Sequence, residues 1–137
     1  MSLILDSSAT LAWTFPEERT DAIVILFGLV ADYGAVAPEL WRIEVANSLN
    51  VGIRRGRITR NNRSGILADL KALPILVDNE TRNRIWSDTL GLADKHRLTV
   101  YDATYLELAL RLSLPLATLD EDLRSAAERE GIPLLGK

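Results

Sequence analysis

Short apolar runs alternate along this chain with longer segments whose apolar residues recur at helical spacing. The apolar runs, each a candidate strand, occupy residues 2–6, 35–37, 75–77, 115–118 and 133–135. The candidate helices between them occupy residues 7–15, 17–33, 39–55, 60–73, 80–97, 102–112 and 121–130. Because the candidate strands are almost uniformly apolar instead of alternating with polar residues, they indicate a parallel sheet covered on both faces. The pattern therefore predicts an α/β protein, a three-layer α/β/α sandwich with a short-stranded parallel sheet.

Helix start and stop signals support these boundaries. Pro16 closes the first candidate helix, Pro38 suits the first turn of the third, and Thr59 is a suitable N-cap for the fourth. Residues 17–33 are also compatible with a buried strand, because they are rich in Ile, Val and Phe. Their length and the Gly34 that follows them favour a helix.

Length and charge limit the classes of protein that fit. The chain has 137 residues and a net charge of −3, and no segment has the composition of a linker. We therefore expect a single domain over residues 1–137. Because the isoelectric point is near 5.2, any nucleic-acid binding must use a local basic patch and not overall basicity.

The residue types that are missing or rare exclude several chemistries. There is no cysteine, which excludes disulfides, thiolate nucleophiles and zinc sites built on sulfur. The one histidine, His96, lies near a predicted helix end, where we expect it to be solvated and to complement the helix dipole. A lone histidine in that position also argues against a serine or cysteine triad.

The longest apolar run, residues 22–31, is short for a membrane span. It has about half of the roughly 20 residues that a helix needs to cross a bilayer, and it does not occupy the position of a signal peptide. We therefore expect a cytoplasmic protein with no membrane contact.

Acidic residues interrupt this apolar pattern at four places: Asp6, Glu44, Asp102 and Asp120. The ordinary structural interpretation makes Asp102 and Asp120 helix N-caps and Asp6 a turn residue that bonds Ser8. Glu44 resists such an interpretation, because large apolar residues such as Leu40 and Trp41 lie beside it at helical spacing and no Lys or Arg follows it by three or four residues.

A parallel sheet can bring all four acids to one edge, since Asp6 and Asp120 follow predicted strands. Four carboxylates without matching cations repel one another, and a divalent metal ion would offset that repulsion. Ligation by oxygen alone selects Mg²⁺ or Mn²⁺. One or two such ions activate water and stabilise the oxygens of a phosphodiester during cleavage, which indicates a nuclease.

The acids lie in longer stretches with a familiar arrangement. These are "LILDSSATLAWTFPEE" at 3–18, "APELWRIEVANSL" at 37–49, "LTVYDATYLELALRLSLPLATLDEDL" at 98–123 and "AAEREGIPLL" at 126–135. Together they resemble PIN-domain ribonucleases of the VapC toxin type, in the expected order and over nearly the whole chain. Residues 57–96 match only in pattern, so the substrate preference stays open.

The resemblance implies the residues of a catalytic site. It makes Asp6, Glu44, Asp102 and Asp120 both catalytic residues and ligands of Mg²⁺ or Mn²⁺. Ser7 and Thr118 match hydroxyl residues that orient a ligand or water. Asp122 matches an additional acid of some members, although an acid in the first turn of a helix is an equal alternative.

The resemblance also implies partners: an RNA substrate such as transfer or ribosomal RNA, a cognate antitoxin, and a second copy of the chain in a homodimer. Arg54, Arg55 and Arg57 belong to an arginine-rich stretch at 52–63, which is either a solvated face or a set of phosphate contacts. The apolar run at 22–31 together with Trp13, Phe15 and Trp41 provides more apolar surface than helix packing needs, so we expect part of it to form a self-association face or a groove for an antitoxin segment near Trp13 and Trp41.

Two other functions are compatible with parts of the sequence. "DSSAT" and "DED" resemble motifs of haloacid-dehalogenase phosphatases, with Asp6 as nucleophile, but Ser8 stands where their second Asp belongs and Glu44 is left without a role. A non-catalytic PIN-shaped binding module is the other alternative, and the intact set of four acids argues against it. No P-loop or Gly-x-Gly-x-x-Gly sequence supports a nucleotide cofactor.

Overall fold

A five-stranded, all-parallel sheet forms the centre of the structure, a computed structural model that describes residues 2–137. The strands are β1 (Leu3–Leu5), β2 (Ala35–Pro38), β3 (Ile75–Asp78), β4 (Leu116–Ala117) and β5 (Leu134–Leu135). The helices are α1 (Ser7–Thr14), α2 (Asp21–Tyr33), α3 (Glu39–Arg54), α4 (Arg60–Ala72), α5 (Leu90–His96), α6 (Val100–Leu112) and α7 (Glu121–Arg129). A mixed α/β fold with a short-stranded parallel sheet flanked by helices confirms the predicted class.

The strand order β3-β2-β1-β4-β5 places β1 in the middle of the sheet. Leu3 of β1 pairs with Ala35 of β2, and on the other side Ile4 pairs with Leu116 of β4. The chain thus leaves β1 toward one edge of the sheet and later returns to build the other edge. In parallel sheets, a crevice for ligands opens at the carboxyl ends of the two strands where the order reverses. Here those strands are β1 and β4.

Apolar burial accounts for the sheet and for the helix that crosses it. Residues 3–5 of β1 are at most 1% exposed, as a strand covered on both faces requires. Residues 103–109 of α6 are buried without interruption, and α6 packs against β1, β2 and β4. The residues at the ends of these elements are therefore anchored in the buried core of the molecule.

Side-chain caps fix where several helices begin. Thr20 accepts a hydrogen bond from the Ile23 amide, so α2 starts at Asp21, four residues later than predicted. The residues before it form a short 3₁₀ turn at Pro16–Glu18. Thr59 caps α4 as predicted, and Asn62 completes a reciprocal capping pair with it.

The single helix predicted over residues 80–97 is broken into three segments. A 3₁₀ turn at Thr81–Asn83 leads into a π-helical segment at Ile85–Thr89, and α5 follows. The Asp78 carboxylate accepts hydrogen bonds from the backbone amides of Glu80 and Thr81, which tightens the first turn. Periodicity alone does not reveal this interruption, because all three segments are helical in their spacing.

His96 ends α5 as expected, but the prediction that it is solvated is wrong. Its side chain is buried, with the Nε of Arg129 donating to its Nδ1 at 3.2 Å. Its Nε2 lies 3.4 Å from a carboxylate oxygen of Glu130. The end of α7 covers the end of α5, a tertiary contact that the local sequence does not encode.

The aromatic residues expected at the surface are mostly inside. Phe15 is buried, and Trp41 is only 7% exposed and donates a hydrogen bond to the Thr10 hydroxyl at 2.9 Å. The Trp13 ring stacks on Phe27 with 4.5 Å between ring centroids. Phe15 and Trp41 therefore offer little surface to a partner. The exposed part of the predicted apolar surface lies in the run at 22–31, where Val24 and Ile25 of α2 are exposed.

None of the helices within residues 2–137 combines the length and the apolar composition that crossing a bilayer requires.

Candidate active site

Asp6 stands at the carboxyl end of β1, at the point where the strand order reverses. Its amide bonds the Ala117 carbonyl of β4 at 3.0 Å, and its carboxylate is buried. Oδ2 accepts hydrogen bonds from the hydroxyls of Ser8 and Thr118, both at 2.6 Å. Burial raises the pKa of Asp6 even though these bonds lower it. The predicted bond to Ser8 is present, but a second hydroxyl from β4 holds the same oxygen.

Glu44 projects from the second turn of α3 toward the same place. Its Oε1 accepts a hydrogen bond from the Tyr105 hydroxyl at 2.5 Å. The Ser7 hydroxyl lies 3.2 Å from that oxygen and 3.4 Å from Oδ1 of Asp6, so Ser7 stands between the two acids. Burial raises the pKa of Glu44; the Tyr105 bond offsets part of this rise, and the negative charge of Asp6 adds to it.

Asp102 lies in the first turn of α6 and does not cap it. The cap is Thr99, whose hydroxyl accepts the bond from the Asp102 amide at 3.1 Å, so the N-cap interpretation of Asp102 is wrong. Burial and then the negative charges of Asp120, Asp6 and Glu44 raise the pKa of Asp102 to about 6.

Asp120 is both the N-cap of α7 and a member of the acidic cluster. Its Oδ1 accepts a hydrogen bond from the Leu123 amide at 2.9 Å and caps α7, as the structural interpretation predicted. Its own amide donates to the Thr118 hydroxyl at 3.1 Å. Asp122 lies exposed in the next turn, and its negative charge contributes to the raised pKa of Asp102.

The structure therefore brings the four predicted acids to one edge of the sheet, from four separate elements. None of the ion pairs found within residues 2–137 involves any of them. In the same part of the chain, no three acidic or histidine side chains already surround a common point as metal ligands do. The acids form a cluster of unmatched negative charge, not a finished coordination shell.

Several carboxylate oxygens of this cluster accept no hydrogen bond from residues 2–137 and could coordinate a cation. Within the described residues, the hydrogen bonds to Glu44 and Asp120 engage only Oε1 and Oδ1, and Asp102 accepts none on its carboxylate. These are hard, anionic donors without a nitrogen or sulfur ligand among them. The donor set thus fits Mg²⁺ or Mn²⁺.

Sequence reasoning missed two residues that hold the site in place: Tyr105 and Arg124. Tyr105 follows Asp102 by three residues, so helical spacing placed it on the same face. Arg124 donates to the carbonyls of Thr118 at 2.7 Å and Leu135 at 3.0 Å. No sequence signal points to Arg124, because its partners are backbone atoms at the ends of β4 and β5.

The predicted arginine patch lies at the far end of α3. Arg54 is ten residues beyond Glu44, or about 15 Å along the helix. Arg54 and Arg55 are exposed, whereas Arg57 pairs with Glu17 and Glu18 and lies 4.0 Å over the Phe15 ring. The three arginines are thus not equivalent.

Comparisons with known proteins agree with this fold. The chain matches the family model of the PIN domain over residues 3–129. It is 34% identical over 127 residues to Ribonuclease VapC3 of Pyrobaculum aerophilum, with 90% of this chain and 92% of that protein covered. It is also 34% identical over 105 residues to Ribonuclease VapC1 of Mycobacterium tuberculosis, with 75% of each chain covered.

Two crystal structures share the fold at lower sequence identity. PAE2754 from Pyrobaculum aerophilum superposes with a TM-score of 0.68 at 22% identity, over 92% of this chain and 84% of that one. FitAcB from Neisseria gonorrhoeae gives a TM-score of 0.59 at 19% identity, over 98% and 96%. The chain therefore belongs to the PIN-domain family and, within it, to the VapC-type ribonucleases. This confirms the predicted family and sets aside the phosphatase alternative.

Proposed function

We propose that this chain is a metal-dependent endoribonuclease that uses Asp6, Glu44, Asp102 and Asp120 to hold Mg²⁺ or Mn²⁺. The observation that carries the proposal is the meeting of four carboxylates at the carboxyl ends of β1 and β4 without any basic partner. The ribonuclease names of the relatives at 34% identity support the same activity. A bound ion of this kind supplies an activated water and stabilises the oxygens of the phosphodiester that is cut.

The chain's own residues orient the carboxylates for this task. Thr118 and Ser8 both donate to one oxygen of Asp6, which fixes the plane of its carboxyl group. Tyr105 does the same for Glu44 from the opposite helix. Such supporting hydrogen bonds keep ligands in position and are worth about 10- to 100-fold in metal affinity or activity.

The proposal extends to the biological role. We propose a cytoplasmic toxin that cleaves structured cellular RNA, such as transfer or ribosomal RNA, and is neutralised by a cognate antitoxin. We also propose that it acts as a homodimer. Asp122 is the weaker candidate for a metal ligand, because its exposed position in the first turn of α7 also suits a charge that complements the helix dipole.

The direct test is cleavage of total transfer and ribosomal RNA by the purified chain in EDTA, Mg²⁺ or Mn²⁺. We expect cleavage only with a divalent ion, and none from the Glu44→Gln variant, which keeps the size of the side chain. Sequencing of the RNA ends formed on induction in cells identifies the target. Retention of RNA binding without cleavage under any metal condition favours the non-catalytic binding module instead.

A further inference from the structure

A cavity of about 290 Å³ is lined in part by α3 and α6, the helices that carry Glu44 and Asp102. It lies between the start of α3, the 3₁₀ turn at Thr81–Asn83 and the first turn of α6. Its apolar wall consists of Leu40, Ile85, Val100 and Tyr101. A volume near 300 Å³ is at the small end of ligand pockets, large enough for one planar ring system and not for a folded segment.

The cavity shares two helices with the proposed catalytic residues. Tyr101 directly precedes Asp102 on α6, and Leu40 lies one turn before Glu44 on α3, about 6 Å along the helix axis. The same two helices would therefore hold both a base in the cavity and a phosphate at the carboxylates.

Two side chains of the cavity have no partner that explains their position. Tyr101 is 63% exposed although it lines an otherwise apolar wall. Arg82 is exposed, and within residues 2–137 it takes part in none of the ion pairs or side-chain hydrogen bonds.

The other charged residues of the cavity are already matched. Asp78 is bound by Arg111 at 2.9 Å, and Glu39 lies 3.9 Å from Arg42. The net uncompensated charge at the cavity is thus the positive charge of Arg82. An apolar slot with an exposed aromatic ring and one free guanidinium is complementary to a nucleobase and the phosphate attached to it.

We propose that this cavity binds one unstacked nucleobase of the RNA substrate, with Tyr101 stacking on the base and Arg82 contacting the adjoining phosphate. The inference rests on the proposed ribonuclease function for its class of ligand. It narrows that class, because a base enters such a cavity only from a single-stranded segment. The scissile bond then lies in a loop or an end of a structured RNA and not within a duplex.

Binding without cleavage tests the cavity separately from the catalytic site. The probes are fluorescein-labelled twelve-nucleotide oligouridine and oligoadenosine, and an abasic ribose-phosphate of the same length and charge. Fluorescence anisotropy is measured in EDTA, where no metal-dependent cleavage occurs. Wild type should bind at least one base-bearing probe about 5- to 100-fold more tightly than the abasic probe, the range that base–aromatic stacking provides.

The variants separate stacking from charge. Tyr101→Ala should bind all probes like the abasic one, while Tyr101→Phe keeps the preference. Arg82→Ala should weaken binding to every probe and reduce the salt slope by about one, and Arg82→Lys should restore it. The matched controls are Tyr33→Ala, an exposed tyrosine at the opposite end of the sheet, and Lys71→Ala, which removes one positive charge from α4.

The outcomes distinguish this inference from the proposed function. Equal binding of base-bearing and abasic probes by wild type, or equal loss on both with Tyr101→Ala, overturns the nucleobase cavity even if metal-dependent cleavage is found. If wild type prefers base-bearing probes, Tyr101→Ala loses that preference and no metal condition supports cleavage, the nucleobase site stands and the proposed ribonuclease activity is wrong. If the cavity instead binds a protein segment, the RNA probes should all bind equally well. Tighter binding of a base-bearing probe would therefore exclude that alternative.

Discussion

Asp102 has no structural task in the helix that carries it. Thr99 caps α6, the Asp102 carboxylate accepts no hydrogen bond within the described residues, and the nearest charges are the acids Asp120, Asp6 and Glu44. An acid that is half-buried among like charges lowers the stability of the metal-free fold. A cation bound there, as proposed, would offset this cost.

The first prediction follows from this residue. Asp102→Asn keeps the shape of the side chain and removes one of the repelling charges. We expect the free energy of unfolding in EDTA to be unchanged or higher than in wild type. RNA cleavage should fall by more than about a hundredfold, beyond the loss typical of residues that only support a metal ligand. Urea unfolding beside a cleavage assay measures both.

Asp120 provides the matched comparison, because it is a real cap. Asp120→Ala should cost about 1 kcal/mol in EDTA, whereas Asp120→Asn should cost little, since Asn caps as well as Asp. Both variants should lose cleavage. If Asp102→Asn and Asp120→Asn cleave RNA at the wild-type rate and with the same metal dependence, these acids are not metal ligands.

At the residue scale, the sequence revealed the acids and only part of what holds them. Asp6 and Glu44 were recognisable because a carboxylate stands where the pattern is otherwise apolar. Tyr105 was not, because its partner Glu44 comes from a distant segment of the chain, and Arg124 was not, because its partners are backbone carbonyls. His96 was misplaced for the same reason, since its burial depends on α7.

At the scale of elements, an ionic contact joins the end of β3 to α6. The Arg111 guanidinium binds Asp78 at 2.9 Å and the buried Glu107 at 2.8 Å. The Thr81 amide and hydroxyl both donate to Asp78 at 2.7 Å. Burial alone would raise the pKa of Asp78, but the bonds from Arg111 and Thr81 outweigh it and lower the pKa to about 2.

The second prediction concerns the pH dependence of this contact. A carboxyl group whose pKa is lowered on folding stabilises the native state above its ordinary pKa, and this contribution is lost as the pH falls through the folded value. We expect wild type to be more stable than Asp78→Asn at pH 7, with the difference shrinking between about pH 4 and pH 2. Urea unfolding at several pH values measures it.

Arg111→Met is the companion variant for that prediction. It removes the shared cation and leaves the buried Glu107 carboxylate unpaired, which should cost about 3–5 kcal/mol at pH 7. If the free energies of unfolding of wild type and Asp78→Asn differ by the same amount at all pH values, the Asp78 carboxyl group has the same pKa in the folded and unfolded states.

The third prediction belongs to α3, which carries Glu44 near its start and arginines at its end. The double variant Arg54→Ala/Arg55→Ala should weaken binding of any RNA and flatten the salt dependence by about one unit per lost contact. Arg57→Ala should change the slope less, because Glu17 and Glu18 already neutralise that guanidinium. Equal slopes for wild type and the double variant would identify the patch as a solvated face.

The elements themselves were largely predictable, and the exceptions have identifiable causes. All five strands and most helices follow from apolar runs bounded by Pro, Gly and Thr caps. The interruption of the helix after β3 was not predictable. It arises because the Asp78 side chain binds the Thr81 amide and because Ile85–Thr89 is π-helical. Strand order was not predicted either, since pairing between distant runs leaves no local signal.

At the scale of the whole molecule, exposed apolar side chains on α2 are candidates for the interface of the proposed homodimer. Ile25 and Val24 on α2 are 66% and 54% exposed and lie next to each other in the sequence. The fourth prediction is a homodimer at tens of micromolar in analytical ultracentrifugation, and a monomer for Val24→Asp/Ile25→Asp. Leu76→Asp, at an exposed position of edge strand β3, is the control. A monomeric wild type contradicts the homodimer, and loss of the dimer only in Leu76→Asp moves the interface to β3.

The last prediction concerns how metal binding affects the entire fold. The four acids come from β1, α3, α6 and the loop after β4, so a cation held by them connects elements that the chain separates by more than a hundred residues. An ion that binds only the native state stabilises it by mass action. We expect wild type to gain about 2.7 kcal/mol when Mg²⁺ or Mn²⁺ is present at a hundredfold excess over its dissociation constant. Asp102→Asn should gain much less, and sodium chloride of equal ionic strength should not reproduce the effect. Thermal unfolding of both proteins in EDTA, in metal and in matched salt measures this, and an equal gain for the two proteins would place the bound cation outside the acidic cluster.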